Sequence, residues 1–217
     1  MSMRTFVAIL ALAVLAPAEA VEPGLRVKAG LSALKLLGTV GENIGVGGAD
    51  FTIGAGGYVD LSYRLQESFA MGLRGSWHGM GISGTDQEAY DRASFQEILL
   101  VSMLVFDPDE ETRPFATVGL GLSWLGWDHA EPYRPYPADE PDFTITDDRR
   151  RATTFLFGGG AEIAMGEWWE LVPALHVRLN GWSDHTDQGI PDLNDDDESV
   201  APTTVAFEAT VGLARRF

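Results

Sequence analysis

The carboxy-terminal segment, residues 202–217, alternates between two kinds of side chain and ends on an aromatic residue. Its apolar row consists of Val205, Phe207, Ala209, Val211, Leu213 and the terminal Phe217. The opposite row is small or polar and consists of Thr204, Ala206, Glu208, Thr210, Gly212 and Ala214. A period of two over this length indicates a β-strand with one apolar and one polar face.

The same alternation recurs upstream, so the whole chain is predicted to be all-β with eight strands. The seven further segments are 25–34, 51–64, 69–79, 94–106, 114–127, 152–165 and 169–182. Charged and polar side chains occupy one row of these strands, namely Arg26, Lys28, Asp60, Arg64, Arg74, His78, Glu162, Glu170, His176, Arg178, Glu208 and Arg216. The segment 94–106 is ambiguous. Glu97 points outward if Gln96 and Ser102 face inward; otherwise the registry reverses or a bulge intervenes.

The connections between the segments alternate in length. Long connections are predicted at 35–50, 80–93, 128–151 and 183–201, and short ones at 65–68, 107–113 and 166–168. Bacterial outer-membrane barrels have an even number of strands, with short periplasmic turns and long outer loops. A soluble sandwich or lipocalin-type barrel has no reason to separate its loops by length in this way. The pattern therefore favours a membrane barrel. The alternation does not say which row faces inward, so the orientation rests on the signal peptide, the carboxy terminus and the aromatic residues.

The amino terminus has the features of a secretory signal peptide. Arg4 provides a positive charge, residues 6–15 are apolar, and Ala18-Glu19-Ala20 is a small-x-small cleavage site. The apolar run is shorter than the roughly 20 residues that a spanning helix needs. We therefore predict a signal peptide at 1–20, cleavage after Ala20, and a single barrel domain at 21–217.

Composition excludes several classes of function. The chain contains no cysteine, so disulfides, thiol chemistry and a lipoprotein anchor are excluded. Its formal net charge of −17 argues against nucleic acid as a partner, because phosphates would be repelled. The 25 glycines favour sheets with tight turns over a helical bundle.

Aromatic residues concentrate near the predicted strand ends, which is typical of the two interfacial girdles of a membrane barrel. The predicted periplasmic girdle is Tyr63, Phe69, Phe106, Phe115, Trp168, Trp169 and Phe217. The predicted outer girdle is Trp77, Trp124, Trp127 and Trp182. The alternative is that they are core aromatics, which would lie nearer the strand centres.

Three short motifs resemble those of a known family. The stretch from Arg113 to Gly121, RPFATVGLG, resembles a strand of the small outer-membrane β-barrel family, the OmpA-type membrane domain. The ending GLARRF is similar to that family's closing motif, and YVDLSYR at 58–64 resembles its second strand. The resemblance implies an eight-stranded antiparallel up-and-down transmembrane β-barrel in the outer membrane of a Gram-negative-type bacterium. It also implies a monomer whose last strand, ending at Phe217, is recognised by the barrel assembly machinery. Arg215 departs from the family pattern, which has an apolar residue there.

The charged row predicts a filled interior. An eight-stranded barrel is only wide enough for side chains, so cations and anions that face inward must pair. A structural ion-pair network is therefore favoured over a catalytic cluster or an open pore.

The outer loops carry two charge patterns. Residues 183–201 are acidic and include Asp192-x-Asn194-x-Asp196, which begins like a calcium loop. Asp197 occupies the glycine position and Thr203 the glutamate position, so the EF-hand pattern fails. Arg149-Arg150-Arg151 lies where a strand re-enters the outer leaflet. This run is expected either to meet lipopolysaccharide phosphates or to serve as ordinary interface anchoring.

No motif predicts catalysis. The histidines His78, His129, His176 and His185 lack metal-ligand spacing. Lipid A deacylases pair a histidine with a serine two residues later, and the nearest counterpart, His185-Thr186-Asp187, is a poor match. We therefore predict no catalytic, cofactor-binding or metal site. The leading hypothesis is a non-enzymatic outer-membrane barrel with a plugged polar interior, acidic loops, and a structural or surface-interaction role among membrane lipids and lipopolysaccharide. A lipid-modifying enzyme and a channel for small solutes or hydrophobic ligands are the alternatives.

Overall fold

The computed structural model describes residues 24–37, 49–84, 90–107, 109–133, 145–186 and 203–217. Ten strands occupy these ranges: β1 Leu25–Leu37, β2 Ala49–Phe51, β3 Gly54–Gln66, β4 Phe69–Met80, β5 Ile82–Gly84, β6 Tyr90–Val105, β7 Thr112–Tyr133, β8 Ile145–Ala164, β9 Trp169–Thr186 and β10 Thr203–Arg216. Within the described ranges, no helix is long and apolar enough to cross a bilayer.

Eight of these strands form a closed antiparallel barrel. The order around the wall is β1-β10-β9-β8-β7-β6-β4-β3, and β3 pairs back to β1. Each barrel strand therefore pairs with the barrel strands that precede and follow it in sequence. The barrel closes where β1 pairs with β10, with Arg26 opposite Arg216. The predicted eight-stranded up-and-down barrel is confirmed. Strands β2 and β5 form a separate two-stranded sheet, in which Phe51 is opposite Ile82.

The strands are longer than the sequence pattern predicts. Strand β7 continues to Tyr133 and β8 begins at Ile145, so much of the predicted loop 128–151 is wall. The predicted connections 35–50, 80–93 and 183–201 are likewise shortened by strand residues at their ends. Beyond the membrane, a strand does not need an apolar face. The strands therefore continue to pair through their backbones after the alternation of apolar and polar residues has ended.

The short turns lie at the end of the barrel that carries the chain's carboxy terminus. Gly166, in the turn between β8 and β9, has a φ of 102°, which is a left-handed conformation that favours glycine. The Met165 backbone N–H donates to the Trp169 carbonyl at 2.8 Å and closes this turn. Asp107 lies in the turn between β6 and β7. Its φ is 49°, which Asp tolerates better than most residues.

The two faces of the barrel wall have the predicted orientation. Leu120 and Val211 are 49% and 47% exposed on the outside, whereas Arg74 and Glu208 are each 2% exposed inside. Exposed apolar residues cover the outer surface on every barrel strand, as a lipid-facing wall requires.

Three residues of the predicted aromatic girdles face the lumen instead. Phe115, Trp127 and Trp182 are 4%, 4% and 1% exposed and belong to apolar clusters inside the barrel. Each of these three residues lies in the inward row of its strand, so its position near a strand end does not bring it to the lipid surface. Other predicted girdle residues do lie on the outside near the strand ends, including Tyr63, Phe106, Trp77, Trp124 and Trp168.

Strand β6 resolves the ambiguity at Glu97. The side chain faces inward and is 2% exposed. The pairing of β6 with β4 runs without a shift from Ala93 to Leu104, so the registry is reversed and no bulge intervenes there. The strand consequently places apolar residues on both faces, with Phe95, Leu99, Val101, Met103 and Val105 inside.

Candidate functional site

Three clusters of side chains in the lumen lie along the inward row of β1, and two smaller apolar clusters, around Phe115 and around Leu99, lie beside them. From the periplasmic end this row contains Arg26, Lys28, Ser32, Leu34 and Leu36, each buried. The periplasmic cluster consists of Arg26, Arg64, Arg113, Arg216, Glu162 and Glu170. The central cluster consists of Lys28, Asp60, Arg74, Glu97, Arg178, Glu208, His78 and His176. The outer apolar cluster consists of Leu34, Leu36, Phe51, Met80, Ile82, Ala93, Phe95, Leu125, Trp127, Ala152, Trp182 and Ala206.

In the periplasmic cluster, two glutamates hold four arginines. Glu162 accepts a hydrogen bond from Arg64 at 3.0 Å, and also pairs with Arg26 and Arg113. Glu170 pairs with Arg26, Arg113 and Arg216. Each carboxylate therefore bridges three guanidinium groups from different strands, which ties distant parts of the wall together across the lumen.

Glu208 is the hub of the central cluster. Its Oε2 accepts a hydrogen bond from Arg74 Nη2 and lies near Arg178 Nη2, each at 2.8 Å. His176 Nδ1 lies 3.1 Å from the same oxygen, and His78 Nε2 lies 3.4 Å from Oε1. All five side chains are at most 3% exposed. A buried carboxylate needs such partners, because an unpaired charge in this environment would be very costly.

Glu97 forms the second anchor of the central cluster. Arg178 donates to it through Nε at 2.7 Å and Nη2 at 2.6 Å, and Ser76 donates to it at 2.8 Å. This bidentate geometry is the stronger form of an arginine–carboxylate pair. Asp60 pairs with Lys28 and lies 3.7 Å from Arg74 Nε. Besides the two histidines, the cluster thus contains three basic side chains, Lys28, Arg74 and Arg178, and three carboxylates, so the formal charges of these six groups balance.

Tyr58 packs this cluster against the wall. The Arg74 guanidinium lies 4.4 Å from the centre of the Tyr58 ring. Gly212 faces the same side chain, and a Cβ at that position would come within 2.3 Å of the tyrosine hydroxyl. The absence of a side chain at Gly212 therefore leaves the space that the Tyr58 hydroxyl occupies.

A polar ladder separates the central cluster from the outer apolar cluster. Ser123 and Thr154 share a hydrogen bond of 2.6 Å, and Thr154 donates to Asn180 Oδ1 at 2.9 Å. Trp182 Nε1 donates to Thr204 Oγ1 at 2.9 Å, so the indole satisfies its polar atom while its ring joins the apolar cluster. The predicted polar interior is therefore found only in part, because apolar side chains fill the lumen toward the outer mouth.

One arrangement in the lumen resembles a serine–histidine–glutamate triad in composition only. Ser32 Oγ lies 2.7 Å from His78 Nε2, and Glu208 Oε1 lies 3.4 Å from that same nitrogen. In a catalytic triad the carboxylate holds the other ring nitrogen, so that Nε2 can accept the serine proton. Ser32 is also 7% exposed, within the lumen. The contact is a structural hydrogen bond rather than an activated nucleophile.

A small cavity lies between the periplasmic and central clusters. Its volume is about 20 Å³, and its lining includes Lys28, Asp60, Arg74, Phe115 and Thr117. This is roughly the space that one water molecule requires. Within the described residues, no group of three or more His, Asp or Glu side chains is arranged to hold a metal ion.

The structure brings all twelve sequence-predicted inward residues into the lumen, from Arg26 on β1 to Arg216 on β10. Sequence reasoning missed Arg113 and Arg150, which are 5% and 1% exposed. Both could have been found by extending the alternation, since Arg113 is two residues before Phe115 and Arg150 two before Ala152. The arginine run is thus split, with Arg150 inside and Arg149 and Arg151 exposed outside.

Several predictions fall outside the described part of the molecule. The calcium-like sequence from Asp192 to Asp197 and the signal peptide at 1–20 lie outside the described residues. The side chains of His129, His185 and Thr186 are likewise not among those described. These remain predictions from the sequence.

Arg215, the departure from the family pattern, is accommodated by aromatic neighbours. Its guanidinium lies 4.8 Å from the ring centre of Phe217 and 5.6 Å from that of Trp169. These distances allow cation–π contacts at the periplasmic interface. The cationic side chain therefore stays within the aromatic girdle.

Comparison with known proteins agrees with this architecture. The family model described as "Outer membrane protein beta-barrel domain" matches residues 5–217. Neisserial surface protein A (NspA) superposes with a TM-score of 0.59 at 11% identity, covering 89% of this chain and 97% of that chain. A major outer membrane protein from Thermus thermophilus gives a TM-score of 0.51 at 11% identity, covering 88% and 99%. At these identities the solved structures share the fold. No curated protein matches the sequence.

Proposed function

Since this chain belongs to the family of outer-membrane β-barrel domains, we propose that it is a non-enzymatic barrel with a closed lumen and a structural or surface-interaction role. Its location is the outer membrane of a Gram-negative-type bacterium. The observation that carries the proposal is the presence of two barriers in series, the central cluster and the outer apolar cluster. A solute would have to break both to cross the described part of the barrel.

The central cluster supports a closed lumen because its members hold one another across the barrel. Glu208 comes from β10, Arg74 from β4 and Arg178 from β9, and these strands lie at different positions around the wall. Moving any one side chain aside would leave a buried charge without its partner, at a cost of about 3–5 kcal/mol. Such a network resists the thermal opening that steady conduction would require.

The outer apolar cluster supports the same proposal by a different mechanism. Leu34, Phe95 and Leu125 are fully buried in it, and Trp182 is 1% exposed. Hydrophobic constrictions exclude water and ions because wetting them is unfavourable. The outer apolar cluster therefore disfavours a water-filled path even if the charged side chains of the central cluster rearrange.

Planar-bilayer recording of the purified, folded barrel tests the proposal. We expect no stable unitary conductance from the wild type, and none from Trp182→Ala alone. The double variant Trp182→Ala/Glu208→Ala, checked for folding by heat-modifiable gel mobility, should conduct because both barriers are weakened. Reproducible conductance from the wild type would establish a channel and overturn the proposal.

The enzyme alternative is tested separately with the same preparation. Incubation with lipopolysaccharide, followed by mass spectrometry of lipid A, should leave acyl chains and phosphates unchanged. A time-dependent change in acylation would assign a lipid-modifying activity instead. Among partners, we propose outer-membrane lipids and lipopolysaccharide around the wall, and the assembly machinery at the strand that ends at Phe217. The barrel is proposed to act as a monomer.

A further inference from the structure

The periplasmic cluster contains more positive charge than its own carboxylates balance. It has four arginines and two glutamates, whereas the central cluster has three basic side chains and three carboxylates. Among the described residues, the two clusters together therefore have two cations in excess when all of these groups are ionised. Two of the four arginines, Arg26 and Arg113, are only 4% and 5% exposed, so bulk water solvates them poorly. A buried charge without a counter-ion is costly.

Arg26 is surrounded by other basic side chains. Arg216 on β10 lies directly opposite it, and Lys28 is the next inward residue on its own strand. Like charges that face each other across an antiparallel pair destabilise it. Glu170 contacts both Arg26 and Arg216, but it also pairs with Arg113. An anion bound near Arg26 would therefore reduce the repulsion that the shared glutamate leaves.

The small cavity between the two clusters adjoins this excess of positive charge. Its described lining includes Arg26, Lys28 and Arg74, with Asp60 as the one carboxylate. The Nε atoms of Arg26 and Arg74 are buried and, among the described residues, donate no hydrogen bond. Asp60 Oδ1 and Glu97 Oε1 lie 3.7 and 3.9 Å from Arg74 Nε, beyond hydrogen-bonding distance. The volume of about 20 Å³ suits one water molecule or one small monatomic anion.

We propose that this cavity binds a single small inorganic anion, chloride, as a counter-ion for the arginines of the lumen. Arg26 and Arg74 come from different clusters, and both guanidinium groups keep their charge at physiological pH. A water molecule in the same place would also accept hydrogen bonds from them, but it would leave the excess positive charge uncompensated. The charge of the two clusters therefore favours the anion over water.

Asp60 is the group at the cavity that opposes an anion. Its Oδ2 pairs with Lys28, and its Oδ1 lies 3.7 Å from Arg74 Nε, so the carboxylate already has two cationic neighbours. Three basic side chains stand against this one carboxylate in the described lining. Asp60 therefore weakens binding without reversing its sign. The volume of the cavity excludes larger anions such as phosphate and sulfate.

Urea unfolding of the barrel in lipid vesicles, with sodium chloride replaced by sodium gluconate at constant ionic strength, tests this site. Gluconate is too large for the cavity. A tenfold rise in chloride, to about 150 mM, should increase the folding equilibrium constant about 3- to 10-fold, as expected for one bound anion with a dissociation constant of about 50 mM or less. An unchanged constant would show that the cavity holds water only and would overturn the proposal.

Two arginine variants separate a specific site from general screening of charge. Arg26→Gln should abolish most of the chloride dependence, because Arg26 lines the cavity. Arg64→Gln is the matched control, since Arg64 pairs with the same Glu162 but is not part of the lining. Either variant leaves three arginines for two glutamates, so both should fold. Arg64→Gln should retain the greater part of the dependence, and an equal loss in both variants would reject the site.

Asp60→Asn and bromide distinguish an anion from a water molecule. Asp60→Asn removes the one carboxylate of the described lining, so the chloride response should move to lower concentrations, whereas a water site would show no response. Crystals soaked in sodium bromide should give an anomalous scattering peak beside Arg26 and Arg74. A peak only elsewhere would contradict the proposal. The site rests on the charges of the lumen, so bilayer recordings and lipid A analysis decide the proposed function independently.

Discussion

The inner and outer parts of the lumen are filled by different chemistry, although the same strands build both. Within the membrane-facing part, the inward rows contain charged residues such as Arg74, Arg178 and Glu208, which are paired and almost fully buried. Toward the outer mouth, the inward rows of the same three strands contain Met80, Trp182 and Ala206. The outer part of the lumen is thus filled by a hydrophobic core, whereas the rest combines ion pairs with smaller apolar clusters around Phe115 and Leu99.

The apolar and the ionic parts of the lumen stabilise the barrel in different ways. An apolar core is held by burial and shape, and it tolerates replacement by other apolar residues of similar volume. An ionic core is held by specific donors and acceptors, and removal of one partner leaves a charge buried without compensation. The two parts should therefore respond to different mutations.

Glu208→Gln should have the largest effect. The substitution keeps the size of the side chain but leaves Arg74 and Arg178 with one carboxylate fewer. We expect the free energy of unfolding to fall by about 3–5 kcal/mol, measured by urea titration of the barrel in lipid vesicles.

Arg92→Gln is the control for Glu208→Gln, because it breaks an exposed ion pair of similar length with Asp128. Its effect should be at most about 1 kcal/mol. Similar losses for the two variants would mean that the central cluster contributes no more than a surface pair.

Leu125→Ala tests the outer apolar cluster. Leu125 is fully buried beside Phe95 on the neighbouring strand. Its truncation should lower the free energy of unfolding by about 3 kcal/mol through lost burial and a residual cavity. Leu125→Met should recover most of this loss, since it conserves volume. If methionine were as damaging as alanine, shape and burial would not explain the stability of this part.

Leu120→Asp tests the lipid-facing side of the same wall. Leu120 is 49% exposed near the middle of β7. A carboxyl group facing hydrocarbon should reduce stability by about 2 kcal/mol or less, since acidic residues cost less there than basic ones. Val211→Asp on β10 should behave alike. The measurement is the folded fraction by heat-modifiable gel mobility, and an unchanged yield for both variants would contradict lipid exposure at these positions.

Much of the fold was predictable because lipid and lumen impose opposite demands on alternate residues. That single rule was enough for the eight barrel strands, their order, and the inward direction of residues such as Arg74 and Glu162. It failed where both rows are apolar. In β6, Ile98 and Leu99 are equally suited to either face, so only the pairing with β4 decides that Leu99 lies inside.

The ion pairs in the lumen were likewise predictable only in part. The inward charges were predictable from alternation, whereas the choice of partners was not, because Arg26 and Glu162 are joined across the barrel and are 136 residues apart in sequence. The prediction that Trp127 and Trp182 belong to the outer aromatic girdle was wrong. An aromatic residue near a strand end suits either a membrane interface or a buried core. Composition alone does not distinguish these environments.

The amino-acid pattern alone was enough to predict a membrane barrel, the alternating rows of every barrel strand except β6, and the end that carries the short turns. These are local properties, set by a period of two and by turn length. The folded barrel was needed to show that Glu208 contacts two arginines and two histidines, and that apolar side chains fill the outer part of the lumen. Closure of the barrel creates these contacts, since it is the step that brings inward side chains from distant strands within hydrogen-bonding and packing distance.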